Sequence, residues 1–143
     1  MPTKWQKIRI DIPNWIRPED RMKLADDIVE YIRQRTESGF DKNNRPFPKY
    51  SKEYIKSLDF RIAGKGRNVN LTLSGDMLAA LDVISQQSDF ILVGFENGSE
   101  ENARADGNIT GAYGQPFPIR GKKRDFLGIN KKKVWELAEQ YRE

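Results

Sequence analysis

Within its first 37 residues the chain changes hydrophobic period from two to about 3.6, and that change fixes the fold class open to it. Residues 6–12, Q-K-I-R-I-D-I, alternate polar and apolar and put Ile8, Ile10 and Ile12 on one side, the pattern of a half-buried strand that Pro13-Asn14 ends. Pro18-Glu19-Asp20 then opens a helix, because proline suits the first turn and acids complement the positive end of the helix dipole. Met22, Ala25, Ile28, Val29 and Ile32 form its apolar stripe, and Ser38-Gly39 is the stop. A strand followed directly by a long amphipathic helix needs a sheet against which the helix can pack.

The remaining signals extend that layout. Asp41–Pro48 is turn and loop; its start mimics a calcium loop, but Arg45 takes a ligand position and the required glycine is missing. Ser51 is placed to cap a short helix carrying Tyr54, Ile55 and Leu58. Gly64-Lys65-Gly66-Arg67 reads as a flexible link, too sparse for a phosphate-binding loop. Val69, Leu71 and Leu73 alternate as a short strand, and Ser74 caps a helix with Met77, Leu78 and Leu81 on one face. Asp89–Phe95 is apolar on both faces, as an interior strand is. Residues 96–125 read as a long loop, and from Asn130 a helical period returns with Val134, Leu137, Ala138 and Tyr141 in register. The expectation is one α+β domain over residues 1–143: a small, mostly antiparallel sheet, packed by a long N-terminal helix and shorter helices, with a long loop before the C-terminal helix. A chain of 143 residues buries enough surface for such a core.

Composition then narrows function. With neither cysteine nor histidine, the chain has no disulfide framework, thiol nucleophile, imidazole acid–base group, Ser-His-Asp triad or ordinary zinc site. No cofactor is expected. Carboxylate chemistry stays open through Asp26-Asp27, Glu100-Glu101 and Asp76 with Asp82, but sequence neighbours on a helix do not converge on one substrate atom, and a solvated surface explains them. The N-x-[ST] triplets at Asn70, Asn97 and Asn108 are chance matches without a secretory signal. No apolar run approaches a membrane span.

The net charge of +4 is unevenly spread. Asp89, Glu96, Glu100, Glu101 and Asp106 make residues 89–106 acidic, whereas Arg120, Lys122, Lys123, Arg124 and Lys131, Lys132 and Lys133 make the final segment basic. Clustered cations bind polyanions by releasing counterions, and they equally bind an acidic face on a neighbouring copy. The lysines pose a sharper question. A helix that begins at Asn130 places three cations at its positive end, each unfavourable by a few tenths of a kcal/mol. A helix that begins one turn later leaves them in a loop. Between the two clusters, Phe126-Leu127-Gly128-Ile129 reads as a buried edge or short strand that anchors the final helix, with Gly128 allowing close backbone approach.

In order along the chain, F-D-K-N-N-R-P-F-P-K-Y-S-K-E-Y, N-L-T-L-S-G-D-M-L-A-A-L, V-G-F, G-N-I-T-G-A-Y-G and R-D-F-L-G-I resemble segments of the tailed-phage virion-morphogenesis family over about residues 39–140. That family comprises small neck and tail-completion proteins related to the head–tail joining proteins of long-tailed phages. The chain departs from it where Ala103, Ala105 and Gly107 stand without the family's histidine, and where lysines rather than acids open the last helix. The resemblance implies a non-enzymatic virion component that forms a homo-oligomeric ring, a hexamer, at the head–tail junction. Its partners would be other neck, head-closure, tail-terminator or tail-tube proteins, and its locations the virion and, during assembly, the host cytoplasm. The expected subunit or partner interface uses Arg120, Lys122, Lys123, Arg124, Phe126, Leu127, Glu100 and Glu101. The set expected to face DNA, should the basic region touch it, is Lys122, Lys123, Arg124, Lys131, Lys132 and Lys133. A small basic nucleic-acid-binding protein is the alternative.

Overall fold

A computed structural model describes residues 3–47, 76–110 and 124–142. The expectations for Ser51–Leu58, Gly64–Arg67, Val69–Leu73 and Ser74 lie outside the described residues. So do those for Arg120, Lys122 and Lys123. In chain order the elements are β1 (Lys7–Asp11), α1 (Pro18–Glu37), α2 (Asp76–Ala79), β2 (Asp82–Gln86), β3 (Phe90–Gly94), α3 (Glu100–Thr110) and α4 (Lys131–Glu139). The three strands form one antiparallel sheet in the order β1-β3-β2, and the protein is α+β.

The strongest local signals produce the expected elements. β3 pairs on both sides, with Lys7 opposite Gly94 and Asp11 opposite Phe90 in β1, and it buries Ile91 and Val93 completely. That central position is why its sequence is apolar on both faces. In α1, Pro18 stands at the start and Glu19 and Asp20 in the first turn. Its inner face is Leu24, Ala25, Ile28, Val29 and Ile32, all almost fully buried, and it joins the core with Ile10 and Ile12 of the first strand region. Met22 does not join it: at 43% exposure it lies on the rim of the stripe, and Leu24 takes the buried position.

Two elements differ from the sequence expectation. β2 is a strand where none was expected. Its register against β3 shifts between Val83 and Ser85, and the extra residue, Ile84, is left exposed. Burial still alternates along Asp82–Gln86, but the exposed Ile84 is apolar and the half-buried Ser85 is polar, so residue type does not follow it. Leu81 follows α2 rather than continuing it: Leu81 N donates to Leu78 O in a tight turn, yet the side chain is fully buried as expected.

The second correction is α3, which occupies part of the expected long loop. Ser99 Oγ accepts from Asn102 N at 3.0 Å, and Glu100 and Glu101 fill the first turn, so the N-terminus is capped and its dipole complemented. The buried stripe of α3 consists of Asn102, Ala105 and Gly107. Small and polar residues make that stripe, so its hydrophobic periodicity was weak.

Candidate functional site

The segment that joins the cationic region to the last helix is fastened into the body of the protein. Phe126 is completely buried and Leu127 is 4% exposed. The Phe126 ring meets Phe95 edge-on, with centroids 6.2 Å apart. The segment is not a strand; side chains hold its backbone instead. Arg35, 7% exposed near the end of α1, donates from Nη1 to Gly128 O at 2.6 Å and from Nη2 to Phe126 O. Burial pulls the Arg35 guanidinium below the usual arginine range, against the opposing influence of Tyr31, Asp41 and Asp125.

The turn after α1 provides the second fastening. Asp41 Oδ1 accepts from Asn43 N at 2.8 Å and from Arg45 N at 3.0 Å, and Asn44 takes the left-handed conformation at φ 61°. The resemblance to a calcium loop thus ends in a turn whose acid binds its own backbone. Lys42 N donates to Asp125 O at 3.0 Å, while Lys42 Nζ meets Asp125 Oδ2 at 2.8 Å. Gly128 lies under the Lys42 stem so closely that a Cβ there would sit 2.8 Å from Lys42 Cβ. The expected role of Gly128 is realised as contact with this side chain.

α4 begins at Lys131. Asn130 caps it, accepting from Lys133 N at 2.7 Å, and the first turn contains no acid. The alternative of a later start is therefore excluded. The three lysines do occupy the positive end of the helix, with Lys131 and Lys132 exposed. Part of the cost is relieved locally: Lys131 Nζ stands 4.9 Å from the Trp135 ring centroid, and Lys133 Nζ stands 4.9 Å from that of Tyr31 and 3.8 Å from Glu136. At the other end of α4, Tyr141 donates its hydroxyl to Asp27, and burial together with this bond raises the phenol well above its ordinary pKa.

The acidic counterpart is the start of α3. Glu100 is exposed and pairs with Arg104 at 3.3 Å, and Glu101 is half-buried beside it. A buried amide ties α3 to the sheet: Asn102 Oδ1 accepts from Gln6 N at 2.7 Å, and its Nδ2 donates to Lys4 O at 3.1 Å. Sequence reasoning missed Asn102 because an isolated asparagine carries no local signal of burial.

The expected site residues thus divide. Glu100, Glu101, Lys131, Lys132 and Lys133 lie on the helix starts α3 and α4. Arg124 is half-buried, and its N–H donates to Asn108 O at 2.7 Å, so it belongs to the junction with α3 rather than to a displayed loop. Phe126 and Leu127 are interior residues, which corrects their expected place at an interface: a side chain sealed inside its own chain has no surface to offer. Of the carboxylates weighed for catalysis, Asp27 holds Tyr141 and Gln140, and Asp82 binds the N–H of Val83 next to it. Among the described residues no group of three or more acids is placed to hold a metal ion, and no helix is long and apolar enough to cross a membrane.

The class that this geometry defines is a small α+β domain with oppositely charged helix starts and a side-chain-clamped connection into its last helix. No family model, curated protein or solved structure matches the chain.

Proposed function

We propose that the chain is a non-enzymatic structural protein of a tailed-phage virion, assembling as a hexameric ring at the head–tail junction. The reading is supported by the ordered segments that resemble the virion-morphogenesis family. The structural observation that carries it is the separation of charge between two helix starts, the exposed Glu100 and half-buried Glu101 on α3 and the exposed Lys131 and Lys132 on α4. A ring needs two different patches that meet head to tail, and oppositely charged helix starts provide them. The remaining partners in this reading are other neck, head-closure, tail-terminator or tail-tube proteins. The protein then resides in the virion, and in the host cytoplasm while particles assemble.

Mass spectrometry of purified particles from the phage or prophage that encodes the chain tests this reading, with several copies per particle expected. Particles with complete necks that lack the chain overturn it.

A second reading, a small basic protein in non-specific contact with DNA, is favoured by the three lysines in a first turn of α4 that holds no acid. It predicts affinity that falls steeply with salt and weakens when Lys122, Lys123 and Arg124, or Lys131 and Lys132, are replaced by alanine. Unchanged affinity in both variants removes it.

A further inference from the structure

Among the described residues β1 is an edge strand of the sheet, paired with β3 on one side alone. Phe95 N donates to Gln6 O at 3.2 Å and Ile12 N donates to Asp89 O at 3.0 Å, so the residues bonded to β3 are the even-numbered ones. In an antiparallel pair the intervening residues point their backbone groups the other way. The N–H and C=O groups of Lys7, Arg9 and Asp11 therefore line the free edge. A groove of about 370 Å³ runs beside it, bounded by Arg9, Asp11, Lys42, Ile129 and Lys131, with Val134 among its lining residues.

Edge strands usually block further pairing with charged side chains. Here those side chains are drawn over the protein's own rings. Lys7 Nζ lies 3.8 Å from the Trp5 ring centroid, and the Arg9 guanidinium carbon lies 4.0 Å from that of Phe90. Because Phe90 is on β3, Arg9 folds inward across the sheet face instead of out over the edge.

We propose that this edge is a docking site for an extended, acidic segment of a different protein, added to the sheet as a fourth strand. Backbone pairing to Lys7, Arg9 and Asp11 supplies the affinity, as in other strand-addition complexes. Charge selects the occupant. The groove is lined by Arg9, Lys42 and Lys131 against the single acid Asp11; Arg9 pairs with Asp11 and Lys42 with Asp125 outside the lining, leaving Lys131 and the positive end of α4 as the surplus. The chain's own segments fit poorly. Residues 48–75 carry six lysines and arginines against two acids, and residues 111–123 carry three against none. The acids of α3, of which Glu100 is exposed, are on a helix. The proposal is independent of the neck reading, because it concerns one copy and is measured without virions or rings.

The test is amide hydrogen exchange by NMR on the full chain, with a capped peptide of alternating valine and glutamate as probe. At a peptide concentration about ten times its dissociation constant, exchange at Lys7, Arg9 and Asp11 is expected to slow about tenfold. A peptide with lysine in place of glutamate, and one N-methylated on its edge-facing amides, should both leave exchange unchanged. Arg9→Pro should abolish protection while the β1–β3 amides stay protected, since the Arg9 N–H is not bonded to β3. Should that variant fail to fold, the N-methylated peptide on the unaltered chain still decides. Unchanged exchange at about 1 mM peptide, the weak end of specific binding, overturns the proposal. Equal binding of the lysine peptide also overturns it, as does protection of these amides that grows with protein concentration alone and so assigns the edge to a second copy.

Discussion

Arg35 holds Gly128 in place from 93 residues away in sequence, its Nη1 donating to the Gly128 carbonyl at 2.6 Å in a buried site. The same guanidinium binds the Phe126 carbonyl, so one side chain of α1 sets the path by which the chain enters α4. Replacing it with methionine keeps much of the apolar stem but leaves two buried carbonyls unpaired. The expected loss is about 3 kcal/mol, read from urea denaturation. Arg35→Lys should retain part of it, because an ammonium lacks the planar fork that reaches both carbonyls.

Two glycines should respond very differently to alanine. A Cβ at Gly94 would lie 2.5 Å from the Gln6 carbonyl oxygen and 2.7 Å from Lys7 Cα, where backbone cannot yield without breaking the β1–β3 pair. At Gly128 the nearest atoms are Lys42 Cβ at 2.8 Å and Cδ at 2.9 Å; Cδ can swing aside, and Cβ can shift with the turn that carries it, which is not part of a paired strand. Gly94→Ala should therefore cost about 3 kcal/mol, and Gly128→Ala about 1 kcal/mol. Adding Lys42→Gly, which removes the Lys42 Cβ, should reduce the cost of Gly128→Ala, and a double-mutant cycle by chemical denaturation measures that coupling.

Lys131 and Lys132 separate stability from function. Changing both to glutamate places acids in the first turn of α4 and should raise stability by a few tenths of a kcal/mol per residue. In the proposed assembly the same change sets acid against acid and weakens oligomerisation, observable by sedimentation with neck partners. A variant that is more stable and assembles normally would remove these lysines from the interface.

Tyr141 gives a pH signature. Its folded pKa is raised, first by burial and then by its bond to Asp27, above the ordinary value near 10. Below that value the group is protonated in both states, and its contribution is fully present. As pH rises past 10 the unfolded chain releases this proton before the folded one does, so stability falls. Tyr141→Phe should flatten the loss above pH 10, measured as denaturation midpoint against pH, in comparison with the unaltered chain.

The sequence by itself determined the elements whose signals are local. β1, α1, β3 and α4 follow from period, proline, caps and glycine stops, each written within a few residues of the element it governs. The anchoring role of Phe126–Ile129 was legible from an apolar run directly after a cationic one. Tertiary structure decided the rest, because the relevant partners are far apart in sequence. β2 exists through pairing with β3, with apolar Ile84 exposed and polar Ser85 half-buried, and α3 packs through Asn102, Ala105 and Gly107, a stripe too small and polar to read as amphipathic. Nothing near Arg35 in sequence announces carbonyls at Phe126 and Gly128. The fold also drew Arg9 over Phe90 and, among the described residues, put β1 at the edge of the sheet, turning an ordinary amphipathic strand into a candidate docking surface.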